Sequence, residues 1–277
     1  MQKICVLIPC YKPSKKFLWE SISSLEFASF QHNVEISILI GLDGEPDPEI
    51  HLILEVLKKK CRKSKLNFII FPKVGIVGTL NSLIKLADCD FIARQDCDDM
   101  SLPMRFKIAL DFMNSHSEVS FIGTQTIRIN EFSQPLWFQK TYPTKMLHQM
   151  IYSSIYNNPI SHPTLFLRRS VFDSAIQYRN VCGAEDWHLY NDLWFRGHKS
   201  YSLNNTSLLY RIHSGQLTKK LLSKEIRKAE QNYTLEALKI AYPSIYNRYY
   251  YFLKFLSRTN PLSYPNFLSV LHKMLSK

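Results

Sequence analysis

Short runs of apolar residues alternate with helical patterns along most of this chain. The runs have the length and β-branched content of buried strands, and a polar turn follows each of them except the last. Strands are predicted over residues 4–8, 34–40, 67–71, 91–93 and 119–122. Apolar positions recur at helical spacing over residues 80–87 and 106–113. This alternation is typical of βαβ units, so we predict an α/β fold whose mostly parallel, Rossmann-like sheet is flanked by helices.

The composition changes near Gly215. Residues 216–277 contain 11 Lys and Arg against 3 Glu, together with 7 of the 15 tyrosines. We therefore expect a main domain over residues 1–215 and a basic, aromatic-rich helical segment over residues 216–277. Basic residues beside Tyr and Leu suit an anionic membrane surface, and they equally suit a helical subdomain whose tyrosines pack on the main domain.

Composition and charge restrict the class of protein. With 277 residues, 45% hydrophobic and 21% charged, the chain is long and apolar enough to fold. Its net charge of +12 predicts an anionic partner such as a nucleotide phosphate, a nucleic acid or an acidic membrane. The six cysteines form no C-x-x-C pair, which argues against a zinc ribbon. Without a signal-peptide core or a spanning apolar run, we expect a cytoplasmic protein, either free or bound to the inner face of the cytoplasmic membrane.

An acidic cluster follows the fourth predicted strand. Asp96 and Asp98 fall on one face of an extended backbone, and Asp99 comes next. Three adjacent carboxylates repel one another unless a cation compensates, and Mg²⁺ or Mn²⁺ prefers one or two carboxylates plus phosphate oxygens. The alternative is that Asp99 or Ser101 only caps the helix that Pro103 helps to start.

Turns after the second and third strands carry weaker signals. Asp43-Gly44 alone predicts only a turn. Lys73 supplies positive charge, and Gly75 permits close approach of a ligand to the backbone. Neither G-x-G-x-x-G nor G-x-x-x-x-G-K-[ST] occurs, so a dinucleotide dehydrogenase and a P-loop enzyme lose their main support.

Later in the chain, two further features have both a chemical and a structural interpretation. Glu185 and Asp186 open a predicted helix, where acidic residues favour the helix dipole even without a catalytic role. His213 ends the last strand-like run, and a lone histidine there is more often structural than a ligand.

Taken in order, these segments resemble the bacterial family 2 glycosyltransferases over residues 3–216. The similarity is carried by residues 6–11, Asp43-Gly44, Val74-Gly75 before Leu80-Asn81, residues 92–99 followed by Pro103 and Arg105, residues 161–164 with Arg168-Arg169, Glu185-Asp186, and residues 210–213. The resemblance implies a GT-A fold, a nucleotide-sugar donor, a divalent Mn²⁺ or Mg²⁺ ion and inverting sugar transfer.

The resemblance also implies roles for individual residues. Those implied at the nucleotide are Pro9, Tyr11, Asp43, Lys73, Gly75, Arg94 and Asp96. Asp98 would be the principal metal ligand, with Asp96 and His213 as further ligands. Asp186 would be the catalytic base, with Glu185 as its neighbour.

The implied reaction uses both the metal ligands and the catalytic base. A metal ion neutralises the departing diphosphate while a carboxylate takes a proton from the acceptor hydroxyl, so no covalent enzyme intermediate is needed. The expected donor is UDP-linked, and the expected acceptor is a glycan or a lipid-linked glycan of a bacterial capsule or lipopolysaccharide.

Two other classes of protein remain as alternatives. A basic nucleic-acid-binding protein would leave the acidic cluster unexplained, so we expect no nucleic-acid partner. A sugar nucleotidyltransferase resembles the chain less, because it has a glycine-rich loop after the first strand, where this chain has residues 9–13, Pro-Cys-Tyr-Lys-Pro.

Overall fold

One mixed sheet with helices on both faces runs through the protein. The computed structural model describes residues 1–30, 34–139, 145–216 and 223–256. Within these ranges the strands are β1 Lys3–Cys10, β2 Glu35–Asp43, β3 Ser64–Phe71, β4 Phe91–Arg94, β5 Met100–Ser101, β6 Val119–Ile129, β7 Pro135–Gln139, β8 Phe166–Arg168 and β9 Lys199–Arg211. The helices are α1 Lys15–Phe30, α2 Pro48–Lys60, α3 Gly75–Leu86, α4 Arg105–Ser115, α5 Met146–Ile155, α6 Glu185–Phe195, α7 Lys224–Ala241 and α8 Pro243–Leu256.

The first half of the sheet is parallel, in the order β3-β2-β1-β4. Side chains of β1 enter two separate cores: Cys5 and Leu7 lie in one, and Ile4, Val6 and Ile8 lie in the other. Because both faces of this strand are buried, its sequence is continuously apolar rather than alternating. The first four predicted strands are confirmed, and each is longer than its apolar run.

The second half of the sheet contains antiparallel pairs. β8 is antiparallel to both β4 and β6, β6 is parallel to β9, and the short β5 and β7 pair antiparallel with β9 and β6. The fifth predicted strand, residues 119–122, is the beginning of β6. The predicted α/β class with flanking helices is confirmed. The loop after β4 reaches the end of β9, where the Arg211 N–H donates to Asp99 Oδ1.

Helix α7 packs against α5 and α6. Ser223 caps it by accepting a hydrogen bond from the Ile226 N–H at 3.3 Å, and Leu235 and Leu238 are buried in the core that also contains Leu189 of α6. The division of the chain at residue 215 stays a prediction, and residues 257–277 of the expected basic segment lie outside the described residues. Among the helices described, none has the length and apolar character needed to cross a bilayer.

Candidate active site

The loop after β4 is anchored by the buried amide of Gln95. Its Nε2 donates to Ser21 Oγ of α1 at 2.8 Å. Its Oε1 accepts hydrogen bonds from Ser101 Oγ at 2.6 Å and from Arg105 Nη1 at 2.7 Å. Since all of these groups are buried, the network fixes the loop that follows Gln95 against α1 and α4.

Three carboxylates converge in this loop. Asp96, Asp98 and Asp99 each place an oxygen within 4.8 Å of the others. Asp98 Oδ2 lies 2.8 Å from His213 Nε2, whereas Asp96 forms an ion pair with Arg94. We refer to Asp96, Asp98 and Asp99 as the acid cluster.

The charge of the acid cluster is incompletely balanced. Burial raises the pKa of Asp98 and of Asp99, and the neighbouring charge of Asp96 raises both further. Asp99 Oδ1 accepts a hydrogen bond from the Arg211 N–H at 2.8 Å, but its buried Oδ2 has no hydrogen-bond partner among the described residues. Carboxylate oxygens are the ligands that Mn²⁺ and Mg²⁺ prefer, so the acid cluster fits a divalent ion.

The helix-cap alternative for these residues is wrong. Helix α4 begins after Met104, and no side chain caps it. Ser101 instead donates its hydroxyl to Gln95, and Asp99 bonds to the backbone of Arg211. The chain passes through β5 before α4 starts at Arg105.

Arg211, at the end of β9, connects the acid cluster to its surroundings. Its fully buried guanidinium donates to the Asp98 carbonyl at 2.8 Å and to Ser133 Oγ at 2.9 Å. It also pairs with Glu20 of α1 at 2.6 Å. Sequence reasoning included Arg211 only in a motif and gave no role to Glu20. The structure shows that both help to hold the acid cluster in place.

A small cavity of about 100 Å³ opens at the ends of β1 and β2. Three residues implied at the nucleotide, Tyr11, Asp43 and Lys73, line it together. Asp43 Oδ1 accepts hydrogen bonds from the Val74 and Gly75 N–H groups at 2.7 and 3.1 Å, which ties β2 to the start of α3. Gly75 has φ +73°, a backbone conformation that favours glycine.

Pro9 and Arg94 lie outside the lining of that cavity. Pro9 is a residue of β1 and pairs in register with Gly41 of β2. Arg94 is buried, forms an ion pair with Asp96, and has no hydrogen-bond partner at Nε among the described residues. The pKa of Glu185 and that of Asp186 are raised by burial, and the charge of Arg94 partly opposes both shifts.

Asp186 is held at the first turn of α6. Its Oδ1 accepts a hydrogen bond from the Trp187 N–H at 2.7 Å. Its Oδ2 accepts a second from Asn158 Nδ2 at 2.7 Å, a partner that sequence reasoning missed. Burial, followed by the charge of Glu185, raises the pKa of Asp186 to about 7, and burial also raises the pKa of Glu185. A carboxyl group with such a pKa can accept a proton near neutral pH.

Comparisons with known proteins identify related sequences. The sequence model of Glycosyl transferase family 2 matches residues 5–176. The amylovoran biosynthesis glycosyltransferase AmsE of Erwinia amylovora is 25% identical over 195 residues, which cover 70% of this chain and 72% of AmsE. The UDP-Gal:alpha-D-GlcNAc-diphosphoundecaprenol beta-1,3-galactosyltransferase of Escherichia coli is 22% identical over 190 residues, which cover 68% of this chain and 66% of that enzyme.

A solved structure supports the fold. The crystal structure of S. aureus TarS in complex with UDP-GlcNAc superposes with a TM-score of 0.63 at 17% identity, over 90% of this chain and 73% of the TarS chain. The family match alone spans more than half of the chain. The chain therefore belongs to glycosyl transferase family 2 and is a glycosyltransferase with the GT-A fold.

Proposed function

We propose that this glycosyltransferase moves a sugar from a UDP-linked donor to a hydroxyl group of a glycan or lipid-linked acceptor, with a divalent metal ion and with inversion at the anomeric carbon. The product would belong to a bacterial surface polysaccharide, either capsule or lipopolysaccharide. One observation carries the proposal: the charge of Arg94 acts on both the acid cluster and Asp186. Arg94 forms an ion pair with Asp96, and it partly opposes the rise that burial causes in the pKa of Asp186.

The relatives support the proposed substrates. AmsE takes part in amylovoran biosynthesis, and the Escherichia coli relative uses UDP-Gal and a diphosphoundecaprenol-linked acceptor. TarS binds UDP-GlcNAc. We extend these chemical classes, a UDP-sugar and a lipid-linked or polymeric glycan, to this chain.

On the donor side, the cavity beside Tyr11, Asp43 and Lys73 would receive the nucleoside. Asp98, with Asp96 and His213, would hold the metal ion. Such an ion supplies positive charge that stabilises a departing diphosphate.

On the acceptor side, the Asp186 carboxylate would take the proton of the attacking hydroxyl group as the new C–O bond forms. Glu185 would sustain its raised pKa, because a neighbouring negative charge disfavours ionisation. As the bond to the nucleotide breaks on the opposite face of the sugar, a single displacement inverts the configuration.

The rate of transfer should depend on pH through Asp186. Its pKa is raised to about 7, and the ionised form is the one that accepts a proton. We therefore expect kcat to fall as the pH decreases through neutrality and to level off at higher pH. Initial rates at saturating donor and acceptor measure this. A constant kcat down to the usual pKa of aspartate, about 4, would contradict the assignment.

A screen of nucleotide sugars with and without a chelator tests the proposed function. We expect release of UDP from at least one UDP-sugar in the presence of Mn²⁺ or Mg²⁺, because the acid cluster needs a cation to bind a diphosphate. EDTA should abolish the release, and added metal should restore it. Release that is insensitive to EDTA would refute the metal site. If no nucleotide sugar binds or reacts, while a salt-dependent gel shift shows binding to nucleic acid, the proposed function is wrong.

A further inference from the structure

The hairpin formed by β6 and β7 exposes an unusual number of large apolar side chains. Phe132 in its turn is 68% exposed, and Leu136, Trp137 and Phe138 in β7 are 45%, 55% and 67% exposed. Single exposed apolar residues are ordinary, but a group of them within a few positions marks a site of interaction. We call residues 132–138 the aromatic hairpin.

Both faces of β7 are apolar and exposed. Neighbouring side chains in a strand point to opposite faces, so Leu136 and Phe138 occupy one face and Trp137 occupies the other. Among the described strands, β7 pairs only with β6. A flat protein interface or a stacking site for one sugar ring would cover a single face. A lipid interface surrounds an inserted ribbon on all sides and therefore fits this pattern better.

Positive charge lies beside the aromatic hairpin. Lys16 of α1 donates a hydrogen bond to the Glu131 carbonyl at 3.1 Å, and its ammonium nitrogen lies 5.8 Å from the centre of the Phe132 ring. Arg128 is the register partner of Trp137 across the β6–β7 pair, its guanidinium carbon lies 3.6 Å from the centre of the Tyr210 ring, and the whole chain carries +12. Basic residues next to Trp and Phe are typical of segments that bind anionic lipid headgroups.

The aromatic hairpin is connected to the acid cluster through Arg211. Arg211 donates to the Asn130 carbonyl at 3.2 Å and to Ser133 Oγ at 2.9 Å, and its backbone N–H holds Asp99. A surface that contacts the hairpin would therefore lie close to the proposed metal site. For an enzyme whose acceptor is attached to a lipid, that placement brings acceptor and donor together.

We propose that the aromatic hairpin is a membrane-docking element, which inserts its aromatic side chains among the headgroups of an anionic bilayer beside the active site. This element differs from the basic segment 216–277, for which membrane binding is a separate prediction. The benefit for a lipid-linked acceptor rests on the proposed function, whereas the docking itself does not.

Flotation of the full-length protein with vesicles tests the docking. The vesicles consist of phosphatidylcholine alone or of equal parts phosphatidylcholine and phosphatidylglycerol. We expect the protein to float with the anionic vesicles only, and the double variant Trp137→Ser/Phe138→Ser to bind them at least about tenfold more weakly, since it loses two large apolar groups. Phe27→Ser is the matched control, because Phe27 is 56% exposed near the other end of α1. It should bind as the parent does.

Fluorescence gives a second readout. Trp137 is the one tryptophan with a largely exposed side chain among the described residues, so its emission should shift to shorter wavelength on anionic vesicles. Equal flotation of the double variant and the parent would overturn the proposal. A second result would also overturn it: the parent does not bind vesicles but self-associates with increasing concentration, and the double variant does not self-associate. The hairpin would then be an interface between copies of this chain.

Binding of UDP with Mn²⁺, measured on the same proteins, separates this proposal from the proposed function. The double variant should retain UDP binding, which also shows that it is folded. If the parent binds UDP but does not float with anionic vesicles, only the docking proposal is rejected. If the parent floats with anionic vesicles but does not bind UDP, only the proposed function is rejected.

Discussion

Asp186→Asn should lower kcat by about 10² to 10⁴-fold, the usual contribution of a general base. The amide has nearly the same shape as the carboxylate and can still accept the hydrogen bond that the Trp187 N–H donates. It cannot, however, take a proton from a hydroxyl group. The affinity for UDP in the presence of Mn²⁺ should stay close to that of the parent, because the donor binds at the other carboxylates. Initial rates with the active donor and calorimetric titration of UDP measure the two quantities.

Asp192→Asn is the matched control for this experiment. Asp192 is a buried acid on the same helix, where it bonds to Tyr233 of α7 and lies 3.8 Å from Arg179. Its replacement disturbs the packing of α6 without removing the proposed base, so kcat should change far less. If Asp186→Asn retains full transfer, or if the two variants lose equal activity, the assignment of Asp186 as the base fails.

Asp98→Asn should reduce the Mn²⁺-dependent affinity for UDP by at least about 100-fold. Residues that only hydrogen-bond to a metal ligand already contribute about 10 to 100-fold to metal affinity, and a ligand itself should contribute at least as much. The same change should leave the protein as stable as before, or more stable. Burial and Asp96 raise the pKa of Asp98, so its ionisation costs more free energy in the folded protein than in the unfolded chain, and a neutral side chain removes that extra cost. Calorimetry measures the affinity, and thermal unfolding without metal measures the stability.

The control for Asp98 is Asp88→Asn. Asp88 is exposed and pairs with Lys3 at the start of β1, at the opposite end of the strand from the acid cluster. UDP affinity should not change in this variant. If Asp98→Asn unfolds at a much lower temperature than the parent, its loss of binding reflects damage to the fold, and the assignment of Asp98 as a ligand loses its support. Retention of Mn²⁺-dependent UDP binding would contradict the assignment directly.

The parallel half of the sheet could be predicted because burial on both faces leaves a continuous apolar run in the sequence. The antiparallel strands β7 and β8 give no such signal. β8 has only three residues, and β7 exposes apolar side chains on both faces, so neither shows alternation of apolar and polar positions.

Candidate site residues could be found in the sequence where several acidic side chains lie within a short segment. Asp96 and Asp98 lie two residues apart, and Glu185 and Asp186 are adjacent. The supporting contacts could not be predicted, because their partners are distant in sequence. Arg211 and Glu20 are separated by 191 positions, and a local pattern contains no information about that pairing. The partner of Asp186, Asn158, lies 28 positions before it in a segment without a distinctive motif.

The roles that the resemblance implies for Pro9 and Arg94 at the nucleotide stay predictions. Pro9 is a sheet residue outside the cavity lining, and Arg94 is buried against Asp96. A role for Arg94 through the acid cluster stays a prediction.

The central claim is that the acid cluster and Asp186 act on the two sides of one bound nucleotide sugar. The most direct test is the anomalous scattering of manganese in a crystal of the parent protein grown with UDP and Mn²⁺. We predict a single strong peak within bonding distance of Asp98, with the diphosphate next to it and the Asp186 carboxylate facing the same cavity. A manganese peak away from Asp98, or an Asp186 carboxylate that is separated from the bound UDP by the sheet, would contradict the account.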